Sequence, residues 1–189
     1  MYTPRDLAKT IIEHYKPSGR QLDPCLGDGA FFDQLKGDKD WCELVRGRDF
    51  LRYDRPVDWI ISNPPWSSSA YRDIAAHAFA LSSNVVFLIR LHNALGTYAR
   101  HRMFLEAGHR LKEILVVPWP SVWRQEGFIL AAIHWQRGWT GKIKLSHASL
   151  YSRESENPGA FGRVTGHEPS SRSKAIATSV RRGHSKGHR

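Results

Sequence analysis

The sequence predicts an α/β fold: a mostly parallel sheet with helices on both faces and an antiparallel strand at its edge. Three observations carry this expectation. Apolar, β-branched runs at 57–61, 84–91, 114–117 and 128–135 alternate with stretches of helical periodicity. The run Asn84 to Leu91 is apolar at nearly every position, as in a strand covered on both faces. Only Ser121 to Gly127 separates the last two strand runs, a hairpin-length connection that makes this pair antiparallel.

In chain order, Thr3 followed by Pro4 reads as an N-cap with proline in the first helical turn. Leu7, Ala8, Ile11, Ile12 and Tyr15 then recur at helical spacing, and Lys16-Pro17-Ser18-Gly19 ends the helix. Gln21 to Phe31 reads as a short strand, a glycine turn and the start of a helix expected over 30–36. Gly27 and Gly29 permit positive φ and a close approach of a ligand to the backbone. Asp23, at the strand end, is able to accept a hydrogen bond from an ammonium. Glu43 lies 20 residues further on in a strand context; acids so placed in nucleotide-binding sheets hold ribose hydroxyls. Taken singly, Glu43 is equally readable as a solvated strand-end charge. Gly47-Arg48 turns the chain, and Asp49-Phe50 sets an acceptor beside an aromatic ring.

The strand Val57 to Ile61 stops abruptly at Asn63-Pro64-Pro65-Trp66. Neither proline has an N–H for a sheet ladder, and Pro64 biases Asn63 away from helix. The result is a stiff corner at the carboxyl end of a strand, where open α/β sheets bind ligands. Asn63 offers an amide oxygen, Pro64 a carbonyl outside any ladder, and Trp66 a flat face. Two acceptors and a plate suit a planar ring bearing an exocyclic amino group. A helix is expected over 70–81, and a basic one over 93–107 with Arg100, His101 and Arg102.

The 189 residues carry a net charge of +10, which points to a polyanionic partner, most simply nucleic acid. From Tyr151 the chain turns polar and loses its apolar period; eight basic residues against three acids leave +5 over 151–189. The division expected is a domain over 1–150 and a basic tail over 151–189, read as disordered and as a non-specific nucleic-acid binder. Cys25 and Cys42 are the two cysteines, too few for a disulfide framework. No Cys/His spacing resembles a zinc site, and His101, His109, His184 and His188 read as solvated. No metal, membrane span or signal peptide is expected, and the location expected is the cytoplasm.

The order and spacing of Thr3-Pro4, Asp23-Pro24-x-x-Gly27-x-Gly29, Glu43, Asp49-Phe50 and Asn63-Pro64-Pro65-Trp66 resemble the S-adenosylmethionine-dependent amino-methyltransferases. With the cofactor motifs first, the order is similar to the gamma arrangement of DNA adenine-N6 methyltransferases, particularly small phage and bacterial members. The resemblance runs through Gly127-Phe128 and covers about residues 2–140. It implies a Rossmann-like fold with a sheet of the seven-stranded type. It further implies Thr3 near the methionine carboxylate, and Asp23, Pro24, Gly27 and Gly29 around the methionyl part. Glu43 would hold the ribose with Leu44 on the adenine ring; Asp49 and Phe50 would contact that adenine. Asn63 and Pro64 would grip the target amino group, and Trp66 would stack on the flipped base. A second stacking ring is either Trp123 or Phe128, and Arg100 and Arg102 are candidate DNA contacts.

The chain departs from the pattern in two respects. The family carries Tyr or Phe after the prolines more often than Trp, and larger members have a target-recognition domain that no segment here is long enough to form. A partner supplying specificity is therefore open. Competing readings are RNA adenine-N6 methylation, DNA cytosine-N4 methylation (typically with Ser in place of Asn63) and a nucleic-acid-binding protein without transfer. Protein glutamine methylation also uses Asn-Pro-Pro, but the positive charge argues against it.

Overall fold

A computed structural model describes residues 2–123 and 127–148, without the side chain of Ser68; residues 151–189 and the expectations placed on them lie outside it. The elements, in order, are α1 (Arg5–Tyr15), β1 (Gln21–Asp23), β2 (Lys39–Trp41), β3 (Val57–Ser62), α2 (Ser68–Leu81), β4 (Ser82–Arg90), α3 (Leu91–Leu95), α4 (Tyr98–Glu106), β5 (His109–Val117), β6 (Leu130–Arg137) and β7 (Lys144–His147). The strands form one seven-stranded sheet in the order β2-β1-β3-β4-β6-β5-β7. β1 pairs in parallel with β2 and β3, β3 with β4, and β5 with β7. β6 runs antiparallel to both β4 and β5. The reversed strand is thus inside the sheet, with β7 beyond it. β7 has four residues, mostly exposed, and leaves no periodic mark in the sequence.

β4 divides the core. Val85, Phe87 and Ile89 face one cluster with Tyr71, Ala75, Ala78 and Phe79 of α2 and Phe104 of α4. Val86 and Leu88 face the other, with Leu7, Ala8 and Ile11 of α1. Successive strand side chains point to opposite faces, so a strand buried on both sides must be apolar throughout.

Several elements depart from their expected extent. The helix expected over 30–36 is a single 3-10 turn, Phe32–Gln34, because Leu35 returns to extended backbone to reach β2. The helix expected over 93–107 is broken in two at Gly96-Thr97. Thr97 is extended, and its hydroxyl caps α4 by accepting from the Arg100 N–H. Pro4, not Thr3, occupies the N-cap position of α1; the Thr3 hydroxyl is used elsewhere. Lys16 does end α1, in left-handed backbone with its N–H on the Ile12 carbonyl. His109 is fully buried rather than solvated. Its Nε2 lies 3.0 Å from the Ser82 carbonyl and its Nδ1 3.2 Å from that of Ala107. Burial pushes its pKa down, against the raising effect of its bonds to these two carbonyls.

The β7 edge is clasped by one carboxylate. Glu113 Oε1 accepts from Ser146 Oγ at 2.8 Å, lies 2.8 Å from His14 Nε2 of α1, and is 3.1 Å from Lys144 Nζ. Burial pulls the Glu113 carboxyl upward, but the hydrogen bonds from Ser146, His14 and Lys144 outweigh it and hold it below its ordinary value. A depressed carboxylate contributes stability that is present above the unfolded pKa and lost as pH falls through the folded one. Glu113→Gln is therefore expected to destabilise the chain by about 1.5–3 kcal/mol at pH 7, the deficit shrinking below about pH 4. Urea denaturation of both proteins across that range makes the comparison.

Candidate active site

The carboxyl ends of β1 and β3 open onto a cavity of about 760 Å³. After β1, the chain turns through Pro24, Cys25, Leu26 and Gly27, and Gly27 takes φ 56°. A Cβ on Gly27 would come 3.1 Å from the Tyr2 ring, so glycine here serves both the turn and the close packing of the N-terminal segment. The Gly27 N–H donates to Glu43 Oε2 at 2.8 Å, while Arg46 holds the Gly27 carbonyl at 3.2 Å. Glu43 is fixed in turn by a backbone bridge to Arg48.

Of the residues expected around a cofactor, Thr3, Pro24, Gly27, Glu43, Leu44, Asp49 and Phe50 line this cavity, joined at its far end by Asn63, Pro64, Pro65 and Trp66. Asp23 and Gly29 stand behind the lining. Asp23 is 1% exposed, and its Oδ1 accepts from Ser62 Oγ at 2.6 Å and from the Cys25 N–H at 3.2 Å. It therefore braces the glycine turn from below. Asp49 Oδ1 is engaged by the Leu51 N–H at 3.0 Å, and the Phe50 ring packs edge-on against His77.

The sequence reading missed part of the wall. Tyr2, Leu26, Phe31, Leu51 and one face of α2 (Ser69, Ala70, Asp73, Ile74) also line it. The i, i+1, i+4, i+5 spacing marks one helical face, but nothing local says that this face looks onto the cavity. With Asp73 in place, the wall carries the carboxylates Asp28, Glu43, Asp49 and Asp73 and no Lys, Arg or His among the described residues. Arg52 and Arg72, outside the lining, lie 3.8 and 3.3 Å from Asp49 and Asp73, so the lining itself is acidic in a chain of net charge +10 and suits a cation.

The buried carboxylate beneath it is shifted. Burial pushes Asp23 up to about 6, against the lowering effect of its bonds to Ser62 and Cys25. Cys25, in the wall, has its thiol pushed up by burial and then by Asp23 and Glu43.

At the corner, the Trp66 indole N–H donates to Asn63 Oδ1 at 3.0 Å and to the Leu88 carbonyl at 3.2 Å. Asn63 Nδ2 donates to Thr3 Oγ1 at 3.0 Å. Trp66, whose flat face suits a stacked base, is half-buried, edge-on to Trp123 at 5.6 Å, with the Arg90 guanidinium 4.8 Å from its ring. Trp123 is buried beneath it, its N–H on the Tyr2 carbonyl at 2.8 Å, and is not in the cavity wall. Phe128 is 47% exposed and lies 5.1 Å from the same guanidinium. Arg100 reaches the His92 carbonyl at 3.3 Å, and Arg102 pairs with Glu106 at 3.1 Å on the outer face of α4. Among the described residues, no group of three or more His, Cys, Asp or Glu is placed to hold a metal, and no helix is long and apolar enough to cross a membrane.

No protein-family model and no curated protein matches the chain. Solved structures do. A protein assigned as the modification subunit of a type I restriction enzyme from Vibrio vulnificus aligns at 15% identity and TM-score 0.54, over 75% of this chain and 45% of that one. A protein assigned to the class I S-adenosylmethionine-dependent methyltransferases from Listeria monocytogenes aligns at 14% identity and TM-score 0.53, over 76% and 63%. The M protein of the type I restriction enzyme EcoKI aligns at 16% identity and TM-score 0.54, over 74% and 44%. The chain thus spans about half the length of these restriction subunits and somewhat less than two thirds of the Listeria protein. At this identity the likeness establishes the fold alone, a Rossmann-like sheet shared with these proteins.

Asp23 carries a pH signature. Its folded pKa lies above its unfolded value, so between about pH 4 and 6 the folded chain binds the extra proton, and stability falls as pH rises through that window. The gap corresponds to about 3 kcal/mol. Asp23→Asn keeps an acceptor for Ser62 and is expected to flatten this decline. Denaturant midpoints at pH 4.5 and 7.5 without ligand make the comparison; parallel wild-type and variant profiles would dismiss Asp23 as its source.

Proposed function

We propose that this chain transfers a methyl group from S-adenosylmethionine to the N6 amino group of adenine in DNA, on a base flipped out to the Asn63–Trp66 corner. One observation carries the reading: a cavity lined, among the described residues, by four carboxylates and no basic side chain opens onto that corner. S-adenosylmethionine bears both an ammonium and a sulfonium, so an acidic wall suits it, and a +10 chain suits DNA.

The residues divide the work as follows. The Thr3 hydroxyl accepts from Asn63 and retains its own proton for the methionine carboxylate. Glu43 spends one oxygen on the Gly27 N–H and keeps the other for the ribose hydroxyls. Leu44, 70% exposed at the rim, is covered when a purine lies on it. Asp49 and Phe50 address the cofactor's adenine. When bound, the cofactor supplies an electrophilic methyl group. Asn63 Oδ1 and the Pro64 carbonyl accept the two N–H groups of the target, drawing its nitrogen toward sp³ and returning the lone pair delocalised into the ring. Holding the reacting centres in line can contribute about 7–11 kcal/mol. Flipping the base costs a few kcal/mol, and stacking on an aromatic face offsets about 1–3 kcal/mol of it. Phe128 is the more open of the rings at this end of the sheet. Arg100 and the 151–189 tail supply phosphate contacts, which position without reading sequence, and a partner protein is a natural source of site choice.

The test is labelled cofactor offered with duplex DNA, RNA and protein in parallel, followed by nucleoside analysis. Label in N6-methyladenine of DNA is expected; label in RNA, in N4-methylcytosine or in protein reassigns the substrate. Asn63→Ala should reduce turnover by more than about tenfold and leave cofactor affinity unchanged, since Asn63 faces the target. Glu43→Ala should weaken cofactor binding about tenfold or more by calorimetry; wild-type affinity would return Glu43 to a strand-end charge. Removing 153–189 should weaken binding equally for all duplexes and flatten the slope of log affinity against log salt; an unchanged slope would exclude the tail as an electrostatic clamp.

A further inference from the structure

We infer that Trp66 is a positioning residue whose indole N–H sets which way round the Asn63 amide faces the target, a task separate from stacking. The inference rests on the methyl-transfer reading above for its consequence, but on geometry alone for its cause.

An Asn amide presents an acceptor on one side and a donor on the other, and rotation by half a turn exchanges them. Only one arrangement is productive here, because an amino group offers N–H and needs Oδ1. The Thr3 hydroxyl, 3.0 Å from the amide, can both donate and accept, so it is compatible with either arrangement. The indole N–H can only donate. At 3.0 Å from Asn63, it requires Oδ1 on its own side and thereby sends Nδ2 to Thr3. Oδ1 has a second lone pair, which remains for the target amino group.

The indole itself has little freedom. Its N–H is shared with the Leu88 carbonyl at 3.2 Å, its ring packs edge-on against Trp123 at 5.6 Å and tilted against Trp119 at 6.0 Å, and Arg90 lies over one face. Trp123 also holds the Tyr2 carbonyl, so the segment bearing Thr3 is tied to the same aromatic group. A Phe at 66 would preserve an aromatic face yet leave the amide free to turn, with the Thr3 hydroxyl donating to Oδ1 and the NH₂ confronting another donor.

Trp66→Phe is the test, read in two ways. In ¹⁵N-labelled protein without substrate, the Asn63 side-chain NH₂ pair, identified by its absence in Asn63→Ser, should shift and exchange faster with water in Trp66→Phe. In the transfer assay, kcat should fall about ten- to hundredfold while KM for DNA and cofactor affinity stay near wild type. In an Asn63→Ser background, with no amide to orient, the same change should cost nothing further. A Trp analogue with sulfur replacing the indole N–H, incorporated at position 66 alone, should reproduce the loss without disturbing packing. Thr3→Val, which leaves the indole contact in place, should cost less than Trp66→Phe.

An unmoved NH₂ pair, wild-type kcat in Trp66→Phe, a loss confined to KM for DNA, or an equal loss in the Asn63→Ser background would each overturn the inference. Absence of transfer by the wild-type protein to any nucleic acid would overturn the methyl-transfer reading instead, and the NH₂ signals would still decide the geometry.

Discussion

A buried hydrogen bond joins the two halves of the site. Ser62 closes β3 one residue before Asn63, and Asp23 closes β1 one residue before Pro24. The Ser62 hydroxyl donates to Asp23 at 2.6 Å, with both residues essentially inaccessible to water. Asp23 also receives the Cys25 N–H, and so anchors the turn that carries Gly27. The cavity wall and the acceptor corner therefore share one foundation. Its donors hold a carboxylate that burial alone would drive toward its neutral form. Displacement of either strand end would move both the glycine turn and the Asn63 amide.

The sheet places charge as well as backbone. The acids that line the cavity come from separate stretches: Asp28 after β1, Glu43 and Asp49 after β2, and Asp73 from α2. Basic side chains stand just outside that lining: Arg52 lies 3.8 Å from Asp49, Arg72 lies 3.3 Å from Asp73, and Arg46 holds the Gly27 carbonyl.

What was readable in the sequence was local. Asn63-Pro64-Pro65-Trp66 announces itself because proline stops a ladder wherever it stands, and β4 because two-sided burial forbids polar side chains. Gly27 and Glu43 were legible through their spacing along the chain. What was not readable depends on partners brought together by the fold. Trp66 looked like a plate because nothing nearby in sequence says its N–H meets Asn63 while Arg90 and Trp123 cover it. Trp123 looked like a candidate wall residue, yet it is pinned to Tyr2 across 121 positions. His109 looked solvated because one of the carbonyls that accommodate it, that of Ser82, lies 27 positions away and is brought to it by the fold. Thr3 looked like a cap, but Pro4 takes that position and the hydroxyl turns to the corner. The inward place of β6 was hidden for a related reason: a short connection determines that two strands run in opposite directions, not which of them lies nearer the middle.

Cys25 sits in the cavity wall with its thiol pushed upward by burial and by the negative charge of Asp23 and Glu43. A sulfonium is an alkylating agent, and a thiolate is the most nucleophilic group a protein can place beside one. A thiol kept protonated lacks that reactivity. With S-adenosylmethionine in the cavity, burial above all, with Asp23 and Glu43 adding to it, would keep this wall thiol from competing for the methyl group.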